Sequence, residues 1–215
     1  MINNVKNELL ENYEQTENGL IKQINKNQFS YGAKYTSKYD KYGIQKINMS
    51  YLRLGYILGS IGKVPEKILD IGYGQGHFLE VAKNIIPYCF GNDITEECPL
   101  PEGAFFIKNI FEDFYDVVTF FDSLEHFENI YDIKNLKTNY IAISVPWCEY
   151  KGSEWFKTWK HRRPDEHLWF FNDNSLTNFM KEIGFRKINT CNIEDTIRKD
   201  LNNKPNILSG IYEKI

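Results

Sequence analysis

Three glycines at alternate positions, Gly72, Gly74 and Gly76, stand directly after the apolar run 68–71, which carries one acid, Asp70. Glycines at that spacing let the chain take positive φ and let a ligand lie against bare backbone. From His77 the sequence turns apolar at helical spacing. A helix start offers unpaired N–H groups and partial positive charge to whatever rests on the turn. A carboxylate, Asp93, follows 21 residues after Gly72, at the end of a segment (88–94) that reads as a second short strand. An acid so placed accepts hydrogen bonds from both hydroxyls of a ribose. The chemistry these residues point to is the holding of a nucleotide-like molecule.

Spacing narrows the choice of nucleotide. The dinucleotide fingerprint G-x-G-x-x-G needs its third glycine where this chain has His77, and no G-x-x-x-x-G-K-[ST] run exists to cradle phosphates. The sequence Leu69-Asp-Ile-Gly-Tyr-Gly-Gln-Gly76 instead resembles motif I of the class I S-adenosylmethionine-dependent methyltransferases. In that family the turn wraps the methionine part of the cofactor. Residues 105–111 resemble its third strand and adenine-contacting turn, with Asn109 where many relatives carry Asp. The β-branched and aromatic run 116–121 reads as a buried strand and ends in Asp122-Ser-Leu-Glu-His126. That ending resembles the D-x-L-E-H segment of many small-molecule methyltransferases. A fifth strand, 140–146, has the Val-Pro ending common in that group, and 167–185 resembles the stretch before the family's last helix and its G-F turn. The resemblance spans about residues 65 to 190, in family order.

The resemblance implies an α/β, Rossmann-like, doubly wound sheet of seven strands, mostly parallel, with one antiparallel strand near the C-terminus. It implies S-adenosyl-L-methionine as cofactor and S-adenosyl-L-homocysteine as product. The cofactor set it implies is Asp70, Gly72, Tyr73, Gly74, Gly76, Asp93, Ile94, Asn109, Ile110, Phe121 and Asp122. Asp93 takes the ribose, the amide oxygen of Asn109 accepts from the adenine amino group, and Ile110 packs on the ring.

Methyl transfer from a sulfonium is an in-line displacement, and alignment supplies much of its rate. A general base helps when the nucleophile is a hydroxyl, and histidine suits that task near neutral pH. His126 is the first candidate and His167, before the Trp-Phe-Phe run, the second; a structural histidine is the plain alternative for His126. Lys160, Arg162 and Arg163, interleaved with Trp155 and Trp159, either hold a phosphate or carboxylate on the acceptor or form a solvated loop. His161, Asp165 and His167 lack metal-ligand spacing, so no metal is expected.

These groups need elements to position them. Strands and helices alternate from Lys67 to Pro146, the pattern of a parallel sheet. Residues 187–192 and 207–213 read as two closing strands around a polar stretch, 194–206. Residues 1–62 read as a helical arm and lid belonging to the same domain as the core, 63–215. Within them, 1–26 reads as a charged helical arm, and 44–61 as a helix with Ile44, Ile47, Tyr51, Leu54, Leu58 and Ile61 on one face. Tyr31, Tyr35, Tyr39 and Tyr42 form either a lid over the cofactor or a packed face. Arg53 reads as a surface arginine, with the cofactor carboxylate as the alternative partner.

At 215 residues the chain is long enough for one well-packed domain, and a net charge of −3 gives no electrostatic footprint for nucleic acid. No apolar stretch approaches the ~20 residues of a membrane span, and the polar N-terminus reads as no secretory signal. Cys89, Cys98, Cys148 and Cys191 show no C-x-x-C spacing and read as thiols of a cytoplasmic protein. The expectation is O- or N-methylation of a small polar acceptor such as a sugar, nucleotide or metabolite, by a monomer or homodimer. The rivals are a nucleic-acid methyltransferase and a non-catalytic module that keeps the cofactor fold. The D/N-P-P-Y/F motif of amino-group DNA enzymes and the Pro-Cys of cytosine-C5 enzymes are absent after the fourth strand.

Overall fold

The computed structural model describes residues 10–29, 44–95, 100–199 and 205–215. Tyr31, Tyr35, Tyr39, Tyr42 and Cys98 lie outside them. Two short strands come first, β1 (Tyr13–Gln15) and β2 (Ile21–Gln23), antiparallel across a turn at Gly19. This hairpin stands where a helical arm is expected. Tyr13, Ile21 and Gln23 are buried while Glu14 is exposed, the two-residue alternation of a strand. Thr16 locks the turn by donating its hydroxyl to Asn18 Oδ1 at 2.6 Å.

Helix α1 (Ile44–Ile61) has the expected bounds but a rotated face. Met49, Ser50, Leu54 and Ile57 are buried, whereas Ile44 and Tyr51 are exposed. Apolar residues run along two neighbouring rows of this helix, and packing against the core selects the row through Leu54 and Ile57.

The core alternates as expected: β3 (Lys67–Ile71), α2 (His77–Ala82), β4 (Tyr88–Asn92), β5 (Ala104–Phe106), β6 (Phe114–Phe121) and β7 (Lys137–Pro146). Then come α3 (Ser153–Thr158), β8 (Trp169–Phe170), α4 (Asp173–Glu182), β9 (Phe185–Cys191) and β10 (Ile207–Lys214). Seven strands form one sheet in the order β5-β4-β3-β6-β7-β10-β9. The sheet is parallel from β5 to β7, and β10 runs antiparallel to both β7 and β9. The predicted doubly wound sheet with one antiparallel strand is therefore what forms. Within 105–111, read from sequence as the third strand and the turn after it, the strand ends at Phe106 and Asn109 stands in the turn, its side chain accepting from Phe111 N–H.

Neighbouring strand residues face opposite sides. Ile68, Val117 and Ile211 pack with Leu54 and Ile57 of α1 and Phe78 and Leu79 of α2. Leu69, Val118, Phe120 and Leu208 pack with Leu176, Phe179 and Met180 of α4. Asn172 and Ser175 close a capping box at the start of α4. β8 leaves the main sheet and joins the N-terminal hairpin in the order β1-β2-β8. No described helix is long and apolar enough to cross a membrane.

Parallel strands that end side by side open a crevice at their carboxyl edge, where ligands of such sheets bind. Here that edge carries Gly72, Asp93 and Asp122. Phe179 is fully buried and meets Tyr131 edge-to-face at 5.3 Å. Phe179→Ala is expected to cost about 3–5 kcal/mol, the usual loss for a core phenylalanine, read as a lower urea midpoint at unchanged slope.

Candidate active site

All three glycines of the first turn sit at positive φ: +78° at Gly72, +54° at Gly74 and +73° at Gly76. Gly72 and Gly74 serve different needs. A Cβ on Gly72 would fall 2.6 Å from that of Ser123, so this glycine lets the end of β6 come close. Ser123 closes the contact by donating its hydroxyl to the Ile71 carbonyl at 2.6 Å. A Cβ on Gly74 would meet nothing within 4 Å, which leaves bare backbone open to a ligand. Asp70 is buried beneath the turn, accepting a 2.6 Å hydrogen bond from Thr119. Burial pushes its pKa up to about 6, and the Thr119 hydroxyl partly offsets this. Its hydrogen bond thus joins β3 to β6 just before the turn. Tyr73 packs its ring in the apolar core, against Gly91 of β4.

Asp93 ties the second strand end to the turn. Its Oδ2 accepts from Gly74 N–H at 2.9 Å, and its Oδ1 accepts from the N–H and hydroxyl of Thr95, both at 2.9 Å. A carboxylate has about four acceptor sites, so two ribose hydroxyls would displace at least one of these bonds. Ile94 beside it is 74% exposed, an apolar surface open to a flat ring. Asn109 spends its amide locally, accepting from Phe111 N–H at 3.1 Å and donating to Glu112 at 2.8 Å. Ile110 packs partly against the core.

Arg53 is not the surface residue expected. Its guanidinium lies 4.4 Å from the centre of the Phe121 ring and forks onto Glu194, with Nε to Oε1 at 2.7 Å and Nη2 to Oε2 at 3.0 Å. Nη2 also reaches Asp122 at 2.7 Å. Arg198 completes a quartet by donating to Asp122 at 2.7 Å and to Glu194 at 3.1 Å. Burial alone would raise the pKa of both acids, yet the two arginines outweigh it and hold Asp122 and Glu194 below their ordinary range. Phe121 and Asp122 thus meet protein with their side chains, and Asp122 does so at a φ of +55°. Glu194 and Arg198 carry no signal in the sequence, where they fall in the polar stretch after β9.

His126 and His167, 41 residues apart in sequence, meet with ring centres 4.7 Å apart and planes at 90°. Backbone bonds zip their two segments together: Leu168 N–H donates to the Glu125 carbonyl at 2.8 Å. His126 Nδ1 lies 2.8 Å from the Glu166 carbonyl oxygen, which can only accept. Nδ1 therefore carries the proton, and Nε2 keeps its lone pair. Burial lowers the pKa of both rings, that of His167 to about 2 with help from His126 and Arg163. Both are neutral imidazoles at pH 7. Glu125, fully buried between them, has its pKa raised by burial and by nearby Asp122.

In the segment 155–167 the side chains find protein partners. Trp155 and Trp159 stack at 5.3 Å and pack on the cluster of Tyr13, Phe156 and Phe170. The basic residues disperse: Arg162 lies over the Tyr13 ring and Arg163 pairs with Glu166 at 2.9 Å. His161 turns to Asn206 at 2.7 Å, and Asp165 caps Asn27, so neither joins His167.

Two outcomes follow from this geometry. Gly72→Ala is expected to destabilise the fold by about 1–3 kcal/mol, through overpacking against Ser123 and strain at positive φ, as chemical denaturation would show. Glu194 has a depressed pKa, so its contribution to stability is complete above its unfolded value of 4.5, declines below that and is lost as pH falls through the lower value it has in the folded chain. Melting temperature between pH 7 and pH 3 should therefore drop less steeply in Glu194→Gln than in the wild type.

Residues 39–190 match the family described as a methyltransferase domain. Comparison with curated proteins gave no match. Among solved structures, the chain is similar to the plantazolicin methyltransferase BpumL in complex with a monoazolic desmethylPZN analog and SAH. That similarity has 17% identity and a TM-score of 0.58, over 84% of this chain and 89% of that one. Magnesium protoporphyrin IX methyltransferase (ChlM) from Synechocystis PCC 6803, with bound SAH, is similar at 13% identity and a TM-score of 0.55, over 88% and 90%. An S-adenosylmethionine-dependent methyltransferase from Mesorhizobium loti is similar at 13% identity and a TM-score of 0.53, over 73% and 96%. At these identities the structures attest a common fold, and the match along residues 39–190 assigns the family. The chain belongs to the methyltransferase-domain family.

Proposed function

We propose that this chain binds S-adenosylmethionine across the carboxyl ends of β3, β4 and β6 and transfers a methyl group to oxygen or nitrogen of a small polar acceptor. One observation carries the reading: the open, left-handed Gly74 hydrogen-bonded to the Asp93 carboxylate. That pairing fits a ligand with a phosphate-free, sulfonium-bearing chain against the turn and a ribose at the acid. When bound, the cofactor supplies an electrophilic methyl group, and the rest falls to this chain's residues. Asp93 orients the ribose, exposed Ile94 offers a surface to the adenine, and the glycine backbone receives the methionine end. The Arg53–Asp122–Arg198–Glu194 quartet holds the end of β6 in place. His126, through Nε2, is the candidate to take the acceptor's proton, while His167, with its pKa pushed down to about 2, is too weak a base for that task; the stacked Trp155 and Trp159 suit a flat or apolar part of the acceptor.

The acceptors connected with this fold vary: one solved relative holds a monoazolic desmethylPZN analog, and another is named for magnesium protoporphyrin IX. A small acceptor is favoured over nucleic acid by the net charge of −3 and by the dispersal of Arg162 and Arg163 onto protein partners.

Calorimetric titration with S-adenosylhomocysteine tests the cofactor. Asp93→Ala should weaken binding at least tenfold, the scale of about 1.5 kcal/mol for hydrogen bonds to a charged acceptor. Affinity unchanged in that variant would remove the ribose assignment. His126→Ala should slow turnover at least tenfold while the affinity for S-adenosylhomocysteine holds; equal rates would remove His126 from the chemistry.

A further inference from the structure

We propose that Glu125, His126 and His167 form a site for one divalent first-row transition ion, such as Mn2+, Co2+ or Zn2+, at the mouth where the acceptor enters. One ligating atom from each residue lies within 4.8 Å of the other two. Ligands around a single ion at about 2.1 Å sit roughly 3.4 Å apart, so the side chains need to draw in by up to about 1.4 Å.

Two orphaned atoms carry the argument. Glu125 is 1% exposed and its Oε2 has no hydrogen-bond partner; His167 is 4% exposed and its Nδ1 has none. A buried polar atom left unpaired is costly, and two residues of one small cluster each carry such an atom, a cost that a shared cation relieves. His126 adds a third donor whose orientation is already set. Its Nδ1–H donates to the Glu166 carbonyl, the outer-shell bond that metal-ligating histidines commonly make through the other ring nitrogen. Two imidazoles and one carboxylate match the ligand preferences of transition ions better than those of Mg2+ or Ca2+, which favour all-oxygen shells.

The site's existence stands on this geometry, while its role rests on the methyltransferase reading. Three protein ligands leave a coordination position open, and a hydroxyl occupying it becomes more acidic. The acceptor hydroxyl releases its proton to water, and its oxygen bonds to the methyl carbon as the carbon–sulfur bond breaks. The electron pair of that bond stays on sulfur. His126 then serves as a ligand, and the ion does the work otherwise asked of a base.

The test uses tag-free, full-length protein stripped with EDTA, titrated with Co2+ while visible absorbance is followed. S-adenosylhomocysteine binding is measured on the same preparation. One equivalent of Co2+ should bind with d–d absorption, and Glu125→Gln and His167→Ala should each weaken it more than tenfold. Wild-type protein that binds S-adenosylhomocysteine but takes up no Co2+ overturns the metal site and leaves the cofactor reading standing. Uptake of equal strength by the wild type and both variants marks an adventitious ion and also overturns it. Ordered Co2+ uptake without S-adenosylhomocysteine binding supports the metal site and removes the cofactor reading. Should the variants fail to fold, the wild type gives a second readout. Zn2+ should shift the ring resonances of two of the four histidines, and shifts in none, or in His161 alone, overturn the proposal.

Discussion

Two arginines share two acids at the end of β6, and the functional edge of the molecule is organised around that exchange. Glu194 is almost wholly buried and accepts three guanidinium hydrogen bonds, two from Arg53 and one from Arg198. Taking such charges out of water costs several kcal/mol per ion, which is offset only when geometry and partners are complete. Here the count of charges balances, two against two, and the Arg53 fork meets its carboxylate with both nitrogens. The quartet joins three distant pieces of chain: α1, the β6 edge and the turn before β10. Asp195, next to Glu194, extends the tie by accepting from the N–H groups of Asn206 and Ile207, both at 3.0 Å, where β10 begins. The antiparallel strand that closes the sheet is thereby fastened to the crevice.

A second tie brings the histidines together. The segment 166–168 is bonded to the turn at Glu125 and His126, and β8 just beyond it is held by β2 of the N-terminal hairpin. Trp169 donates to the Phe127 carbonyl at 2.8 Å, adding a side-chain bond to the same junction. Burial of His167 follows from this, and so does its neutral state. The hairpin that replaces the expected arm is therefore part of what holds the two histidines together.

Much was legible beforehand. The glycine spacing, the acid after β4 and the alternation of strands with helices are local patterns, each imposed by backbone geometry or by the period of a buried face. They placed Gly72, Gly74, Gly76 and Asp93 where the structure has them. The errors have physical causes. Helix α1 has two adjacent apolar rows, so periodicity alone could not choose between them. The arm at 1–26 mixes charge and apolar residues, and pairing with β8, about 150 positions away, decides that its described part is a hairpin. Arg53 looked exposed because nothing in a sequence marks its partner Glu194, which lies 141 positions on.

By itself, then, the sequence determined the class of the fold, the glycine turn after β3 and the carboxylate beside it, since these depend on residues close together in the chain. The tertiary structure decided which charges are buried together, which basic residues face protein rather than solvent, and that Glu125, His126 and His167 converge. Those outcomes turn on desolvation and on contacts between segments far apart in sequence, and both exist only once the chain has closed on itself.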